Sequence, residues 1–188
     1  MLENYVSVQR YGRACPGRNV SGLYDMCESL PAPFSSSVMR IEPQWIDYNG
    51  HLNLAYYNVL FDRAVDEVYE LVGLGPSYLE RHKYSTMVVE AHVRYLRELR
   101  LEDPVRVTVQ LLDYDTKRIH LFEELRHATK GWLSATSENM TLSVDMTAKK
   151  VAPFHYSVLR RLGRLNKAHT ALPRPEAAGR SIRMPRKS

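Results

Sequence analysis

The stretch WIDYNGHLNLAYYNVLFDRA, residues 45–64, decides the fold. It begins as a polar turn and continues as an amphipathic helix, with apolar residues at i, i+3 and i+4 spacing up to residue 72. Asn53 is a natural N-cap, because its side chain can accept a hydrogen bond from an unpaired N–H of the first turn. Gly73 suits the left-handed position after the last turn. The pattern therefore predicts a helix over residues 54–72.

The residues after this helix change to a period of two, which is typical of strands with one buried face. Four segments show it: residues 88–98, 104–112, 118–126 and 131–144. In the third, Ile119, Leu121, Glu123 and Leu125 alternate with His120, Phe122 and Glu124. The links 113–116 and 128–131 are short enough for hairpins, so we expect consecutive antiparallel strands.

The predicted order is a short strand near residue 38, the long helix, four strands and a final helix over 155–169. One antiparallel sheet can bury the apolar side of one long helix. The predicted class is therefore α+β, with the sheet wrapped around the helix. Such a sheet leaves an edge strand exposed, and two copies can cover each other's edge. We therefore expect a homodimer or a higher homo-oligomer.

The 188 residues suit one domain with additional ends. We assign residues 1–37 to an irregular N-terminal extension, 38–170 to the domain and 171–188 to a basic flexible tail. The formal net charge of +5 depends on that tail, where five basic residues stand against one acidic residue. A proline-containing basic end is usually solvated, so nucleic-acid binding is not expected.

Membrane and metal functions are not expected either. No run approaches the roughly 20 apolar residues of a membrane helix, and the first residues lack the apolar core of a secretory signal. We therefore predict a cytoplasmic location. Cys15 and Cys27 have no CxxC or histidine spacing around them and are interpreted as free thiols. We predict neither a metal site nor a cofactor.

The order of elements, with D-x-N-G-H-x-N just before the long helix, resembles the hotdog-fold thioesterases of the 4-hydroxybenzoyl-CoA thioesterase type over roughly residues 38–154. The motif is also similar to that of the plant acyl-carrier-protein thioesterases. Residues 95–105 (YLRELRLEDPV), 110–127 (QLLDYDTKRIHLFEELRH) and 131–145 (GWLSATSENMTLSVD) are similar to the betainyl-CoA thioesterases of carnitine breakdown. The resemblance implies a hotdog fold and an acyl-CoA substrate, with betainyl-CoA hydrolysed to betaine and CoA.

By this resemblance Asp47 is the catalytic carboxylate, which either attacks the thioester carbonyl or deprotonates water. His51 and then Asn49 are candidates for orienting it. The backbone N–H of Leu54 is the candidate oxyanion donor, and Gly50 allows a sharp turn close to the substrate. A trimethylammonium group cannot donate hydrogen bonds, so aromatic faces suit it. The candidate substrate-binding aromatic residues are Trp45, Tyr48 and Tyr57.

A capping turn is the simpler interpretation of the same residues, because Asp, Asn and Gly are common turn formers. Other acyl-CoA or acyl-carrier-protein thioesters are alternative substrates. Hotdog hydratases carry D-x-N-P-x-H, but here Gly50 replaces the proline and His51 comes one residue sooner, which favours hydrolysis. Hotdog acyl-CoA sensors in transcription regulators need a helix-turn-helix domain, and residues 1–37 are too short and irregular for one.

Overall fold

The structure is a computed structural model that describes residues 30–184. Its strands are β1 (Phe34–Ser35), β2 (Met39–Arg40), β3 (Tyr84–Tyr95), β4 (Pro104–Tyr114), β5 (Arg118–His127), β6 (Leu133–Asp145) and β7 (Lys150–Val151). Its helices are α1 (Leu54–Val72), α2 (Pro76–His82) and α3 (Tyr156–His169), with a 3₁₀ turn at Pro43–Trp45. Among residues 30–184, no helix is long and apolar enough to cross a membrane. The predicted free thiols, Cys15 and Cys27, lie outside the described residues.

Helix α1 begins and ends where the sequence predicts. The Asn53 side chain accepts a hydrogen bond from the Ala55 N–H at 3.0 Å, and Gly73 takes the left-handed conformation with a φ of 81°. The apolar stripe of α1 is buried against the inner face of the sheet. This packing is the predicted α+β arrangement, an antiparallel sheet around one long helix.

The sheet has the strand order β1-β4-β5-β6-β3, with β2 also on β4 and β7 also on β6. Both predicted hairpins, β4–β5 and β5–β6, are confirmed. The predicted pairing of all consecutive strands is wrong for β3, which pairs with β6 at the opposite edge from β4. The link over residues 96–103 makes this crossing possible. It is long enough to span the sheet, and its Leu99 is buried in the core.

Several features of the fold differ from the sequence prediction. Phe34–Ser35, within the segment predicted to be irregular, forms β1 and pairs with β4. Helix α2 has only seven residues, too few for a recognisable periodicity. Strand β3 begins at Tyr84, four residues before the predicted start.

Residues 172–179, within the segment predicted to be a flexible tail, lie along the outer face of the sheet. The Gln110 side chain donates a hydrogen bond to the Pro173 carbonyl at 3.3 Å, and the Gly179 N–H donates to the Glu138 carboxylate at 2.7 Å. Phe122, whose side chain points away from α1, is only 3% exposed beside this segment. The segment therefore shields an aromatic ring that the sheet alone would leave open.

A chain ending at Leu172 should be less stable than a chain ending at Arg180, because its Phe122 ring becomes accessible to water. We expect the free energy of unfolding to fall by about 1 kcal/mol. Urea denaturation of the two chains is the measurement. The longer chain is the control, since it keeps the contacts of Pro173 and Gly179. Equal denaturation midpoints would contradict the shielding role of this segment.

Candidate active site

The polar turn before α1 is a closed loop built around Asp47. One oxygen of its carboxylate, Oδ1, accepts hydrogen bonds from the Asn49 N–H at 2.8 Å and from the His51 N–H at 3.4 Å. The Asp47 N–H donates to the His51 carbonyl at 2.9 Å. Gly50 has a φ of 77°, a conformation that side chains disfavour, which explains glycine at this position. The turn therefore holds the Asp47 carboxylate in one orientation.

The core holds both ends of this turn. Ile46 and Leu52 form an antiparallel bridge, and the Asn53 N–H donates to the Trp45 carbonyl at 2.9 Å. The Leu52 N–H donates to the carbonyl of Leu99 at 2.8 Å. The turn is thus tied to the link that connects β3 and β4, and it cannot move independently of the sheet.

The first turn of α1 has one N–H group available for a ligand. The Asn53 side chain occupies the Ala55 N–H, and the Asn53 carbonyl accepts from the Tyr56 N–H at 3.0 Å. The Leu54 N–H has no hydrogen-bond partner among residues 30–184. The positive end of the helix dipole lies behind it. A free N–H at this position can stabilise a developing oxyanion, a contribution typically worth about 3 kcal/mol.

His51 and Asn49 contact Asp47 through the backbone rather than the side chain. Both hydrogen bonds to Asp47 Oδ1 come from backbone N–H groups. Neither the His51 imidazole nor the Asn49 amide has a hydrogen-bond partner within the part of the chain that the structure describes. No side-chain hydrogen bond therefore supports their predicted role in orienting the Asp47 carboxylate, although both residues lie close to it.

The three predicted substrate-binding aromatic residues do not converge. Trp45 is buried, stacks on Tyr56 with 5.5 Å between ring centroids, and has the Arg63 guanidinium over its ring. Tyr57 is also buried, and its pKa is raised by burial, although a Ser134 hydrogen bond lowers it. Tyr48 is 98% exposed. In the single chain these rings cannot form an aromatic cage, because the buried rings already pack against other side chains.

The sequence interpretation missed a buried carboxyl group near α1. Glu123 is 0% exposed and lies on the inner face of the sheet. The signal was present, because Glu123 occupies an apolar-facing position between Leu121 and Leu125 in the alternation of β5. An acidic residue in such a row is expensive to bury and indicates a specific role.

Among residues 30–184 there is no group of three or more His, Cys, Asp or Glu residues arranged to hold a metal ion. The turn offers a fixed carboxylate, and the start of α1 offers a free N–H.

Comparison with known proteins places the chain in a family. Residues 41–162 match the model of the thioesterase-like superfamily. The chain is 38% identical to a betainyl-CoA thioesterase of Pseudomonas aeruginosa over 143 residues, which cover 76% of this chain and 90% of that protein. It is 37% identical to an L-carnitine dehydrogenase/betainyl-CoA thioesterase of Rhizobium meliloti, of which it covers 29%. A Staphylococcus aureus protein solved in complex with CoA has a TM-score of 0.75 and 31% identity, covering 81% of this chain and 95% of that one.

Proposed function

We propose that this chain hydrolyses betainyl-CoA to betaine and CoA. The chain belongs to the thioesterase-like superfamily, and it is a thioester hydrolase with the predicted hotdog fold. The relatives named for betainyl-CoA support this substrate, and one of them is joined to an L-carnitine dehydrogenase. A role in carnitine degradation follows from that proposal. The cytoplasmic location stays a prediction from the sequence.

The observation that carries the proposal is the pairing of a fixed carboxylate with a free N–H. The turn engages Asp47 Oδ1, whereas Oδ2 has no partner among residues 30–184 and is available to a reactant. Seven residues later, the Leu54 N–H is available to the carbonyl oxygen. Thioester hydrolysis needs these two functions, one to create the nucleophile and one to stabilise the oxygen that becomes negative.

Two routes use this pair, and both require Asp47 to be ionised. In the first, Asp47 takes a proton from a water molecule while the oxygen of that water attacks the thioester carbon. In the second, the carboxylate attacks that carbon directly and water then hydrolyses the resulting anhydride. In both, the oxyanion forms at the Leu54 N–H, the carbon–sulfur bond breaks, and CoA leaves as a thiolate that takes up a proton.

A panel of acyl-CoA esters tests the proposed substrate. Initial rates of free-thiol release are measured with betainyl-CoA, with 3,3-dimethylbutanoyl-CoA, in which carbon replaces the charged nitrogen, and with long straight-chain esters. A site that recognises the cation by about 2 kcal/mol should favour betainyl-CoA by more than about tenfold in kcat/KM. A preference for long aliphatic chains would overturn the substrate, and absence of thiol release from every ester would overturn hydrolysis.

We also propose a homodimer formed through β3. This strand pairs with β6 on one side only, and its other edge has no partner among the described residues. Val88 and Val89 lie on it at a bulge, and both are 56% exposed. Exposed apolar edge strands favour pairing with another strand. A second copy placed against β3 would cover these valines and lie beside the α1 side of the sheet.

The variant Val89→Lys should be monomeric and should lose most of its turnover, because a charge at the paired edge opposes association. Multi-angle light scattering of the parent chain should give twice the monomer mass of 21.7 kDa. Val151→Lys is the matched control, since Val151 is an exposed strand valine on β7. A fully active monomeric parent chain, or a dimeric Val89→Lys variant, would contradict the proposed interface.

A further inference from the structure

Tyr95 is an aromatic residue beside the start of α1 whose ring the described chain leaves partly open. It is the last residue of β3, and its hydroxyl donates a long hydrogen bond of 3.5 Å to the Leu54 carbonyl. The residue is 48% exposed, whereas Trp45 and Tyr57 are buried and Tyr48 is almost fully exposed. Tyr95 therefore combines a contact to the residue that bears the free N–H with an open ring surface.

The Tyr95 ring is held in place from two sides. It packs against the Tyr57 ring in a T-shaped arrangement, with 5.0 Å between the ring centroids and 75° between the ring planes. The backbone that follows it is fixed as well, because the N–H groups of Leu96 and Arg97 donate to the Ser134 carbonyl at 2.8 Å and 3.0 Å. A ring fixed in this way loses little conformational freedom when a ligand binds to it.

The surroundings of this ring are apolar and negatively charged. Leu54, to whose carbonyl the Tyr95 hydroxyl donates, also has an exposed side chain. Burial raises the pKa of Tyr57, and the Glu98 carboxylate raises it further, so a negative charge acts on this pair of rings. An open aromatic surface with apolar and anionic neighbours suits a cation that has methyl groups on its surface and no hydrogen to donate.

The length of the acyl group places its cation in the same region. A carbonyl oxygen bound to the Leu54 N–H lies about 2.9 Å from that nitrogen. The betainyl nitrogen is two bonds of about 1.5 Å from the carbonyl carbon, so it lies within about 7 Å of the Leu54 nitrogen. The Tyr95 hydroxyl also lies within about 7 Å of it, since backbone geometry puts the Leu54 carbonyl oxygen about 3.5 Å from the same nitrogen.

We propose that Tyr95 contacts the quaternary ammonium of the acyl group and gives the enzyme its preference for a charged ester. The inference deepens the proposed function and rests on it. The ring face attracts the cation, and the exposed Leu54 side chain contacts its methyl groups. The buried Trp45 and Tyr57 rings cannot take this role, because other side chains already pack against them.

The variants Tyr95→Leu and Tyr95→Phe test this contact. In Tyr95→Leu, the ratio of kcat/KM for betainyl-CoA to kcat/KM for 3,3-dimethylbutanoyl-CoA should fall about fivefold or more. In Tyr95→Phe, which keeps the ring and loses only the hydroxyl, the ratio should stay within about twofold of the parent value. The matched control is Tyr156→Leu, since Tyr156 is an exposed tyrosine at the first residue of α3 and should leave the ratio unchanged.

Fluorinated rings separate attraction of a cation from a structural role. Phenylalanine with one, two or three fluorine atoms on the ring is incorporated at position 95 in place of tyrosine. Fluorine withdraws electrons from the ring face and changes the shape little, so these chains also decide the question if Tyr95→Leu does not fold. The ratio should decrease with each added fluorine, by about fivefold over the series.

The outcomes distinguish the two proposals. A parent chain that prefers the charged ester, with a ratio that falls in Tyr95→Leu and along the fluorine series, supports Tyr95 as the cation contact. A parent chain that prefers the charged ester while the altered chains keep the ratio, even with lower rates on both esters, overturns the role of Tyr95 and leaves the substrate intact. A parent chain without preference for the charged ester overturns the substrate, and the role of Tyr95 with it.

Discussion

The variant Asp47→Asn should fold and assemble like the parent chain but lose turnover by a factor of roughly 100 to 10,000. The substitution keeps an oxygen that can accept the hydrogen bonds from the Asn49 and His51 N–H groups, so the turn should persist. It removes the negative charge that both routes to hydrolysis require. The measurement is kcat/KM for thiol release, together with a thermal melting curve to confirm the fold.

Asp145→Asn is the matched control for this experiment. The Asp145 carboxylate also accepts two backbone hydrogen bonds within a turn, from Thr147 at 2.8 Å and Ala148 at 2.9 Å. It lies at the end of β6, outside the turn that precedes α1. The control should retain parent activity. Turnover of Asp47→Asn within a factor of about three of the parent chain would remove Asp47 from the mechanism.

The variant Glu123→Gln should change how stability depends on pH. Burial raises the folded-state pKa of Glu123 from 4.5 to about 8, so the folded protein holds a proton that the unfolded chain releases. The stability from this proton is fully present below the unfolded pKa and is lost as the pH rises through the folded pKa. Between about pH 5 and pH 8 the free energy of unfolding of the parent chain should therefore fall relative to that of the variant. The relative fall should be up to about 1.4 kcal/mol per pH unit.

Urea denaturation at pH 5, 6, 7 and 8 measures this difference. The parent chain and the variant should have similar stability at pH 5, and the variant should be the more stable of the two at pH 8. Other titrating groups contribute equally to both chains, so the difference between the two curves isolates Glu123. Parallel curves across this range would mean that the carboxyl group is not held protonated by the fold.

The fold was predictable where the chain carries local chemical signals. Both ends of α1 were predicted to the residue, because Asn53 suits the N-cap and Gly73 suits the left-handed position after the last turn. The neighbour of β3 was not predictable, because strand order depends on long-range contacts. Those contacts include the burial of Leu99 in the link between β3 and β4, and hydrophobic periodicity contains no information about them.

The candidate site was also predictable only in part. The sequence located the turn around Asp47, because its polar residues stand directly before the predicted helix and match the motif of the family. It could not show that His51 and Asn49 contact Asp47 through the backbone, because both kinds of contact use the same residues. Nor could it show that Trp45 and Tyr57 are buried, because aromatic side chains suit a core as well as a ligand pocket. Glu123 was visible in the sequence as an acidic exception in the apolar row of β5, but only the three-dimensional structure shows that it is buried.

A competition experiment tests the central claim most directly. Betainyl-CoA and 3,3-dimethylbutanoyl-CoA are mixed at equal concentration with the enzyme, and mass spectrometry follows the two acids released. The ratio of the initial rates equals the ratio of the two kcat/KM values. We expect betaine to be released more than about tenfold faster, consistent with a thioesterase that recognises a quaternary ammonium. Equal release, or faster release of the neutral acid, would contradict the proposed function.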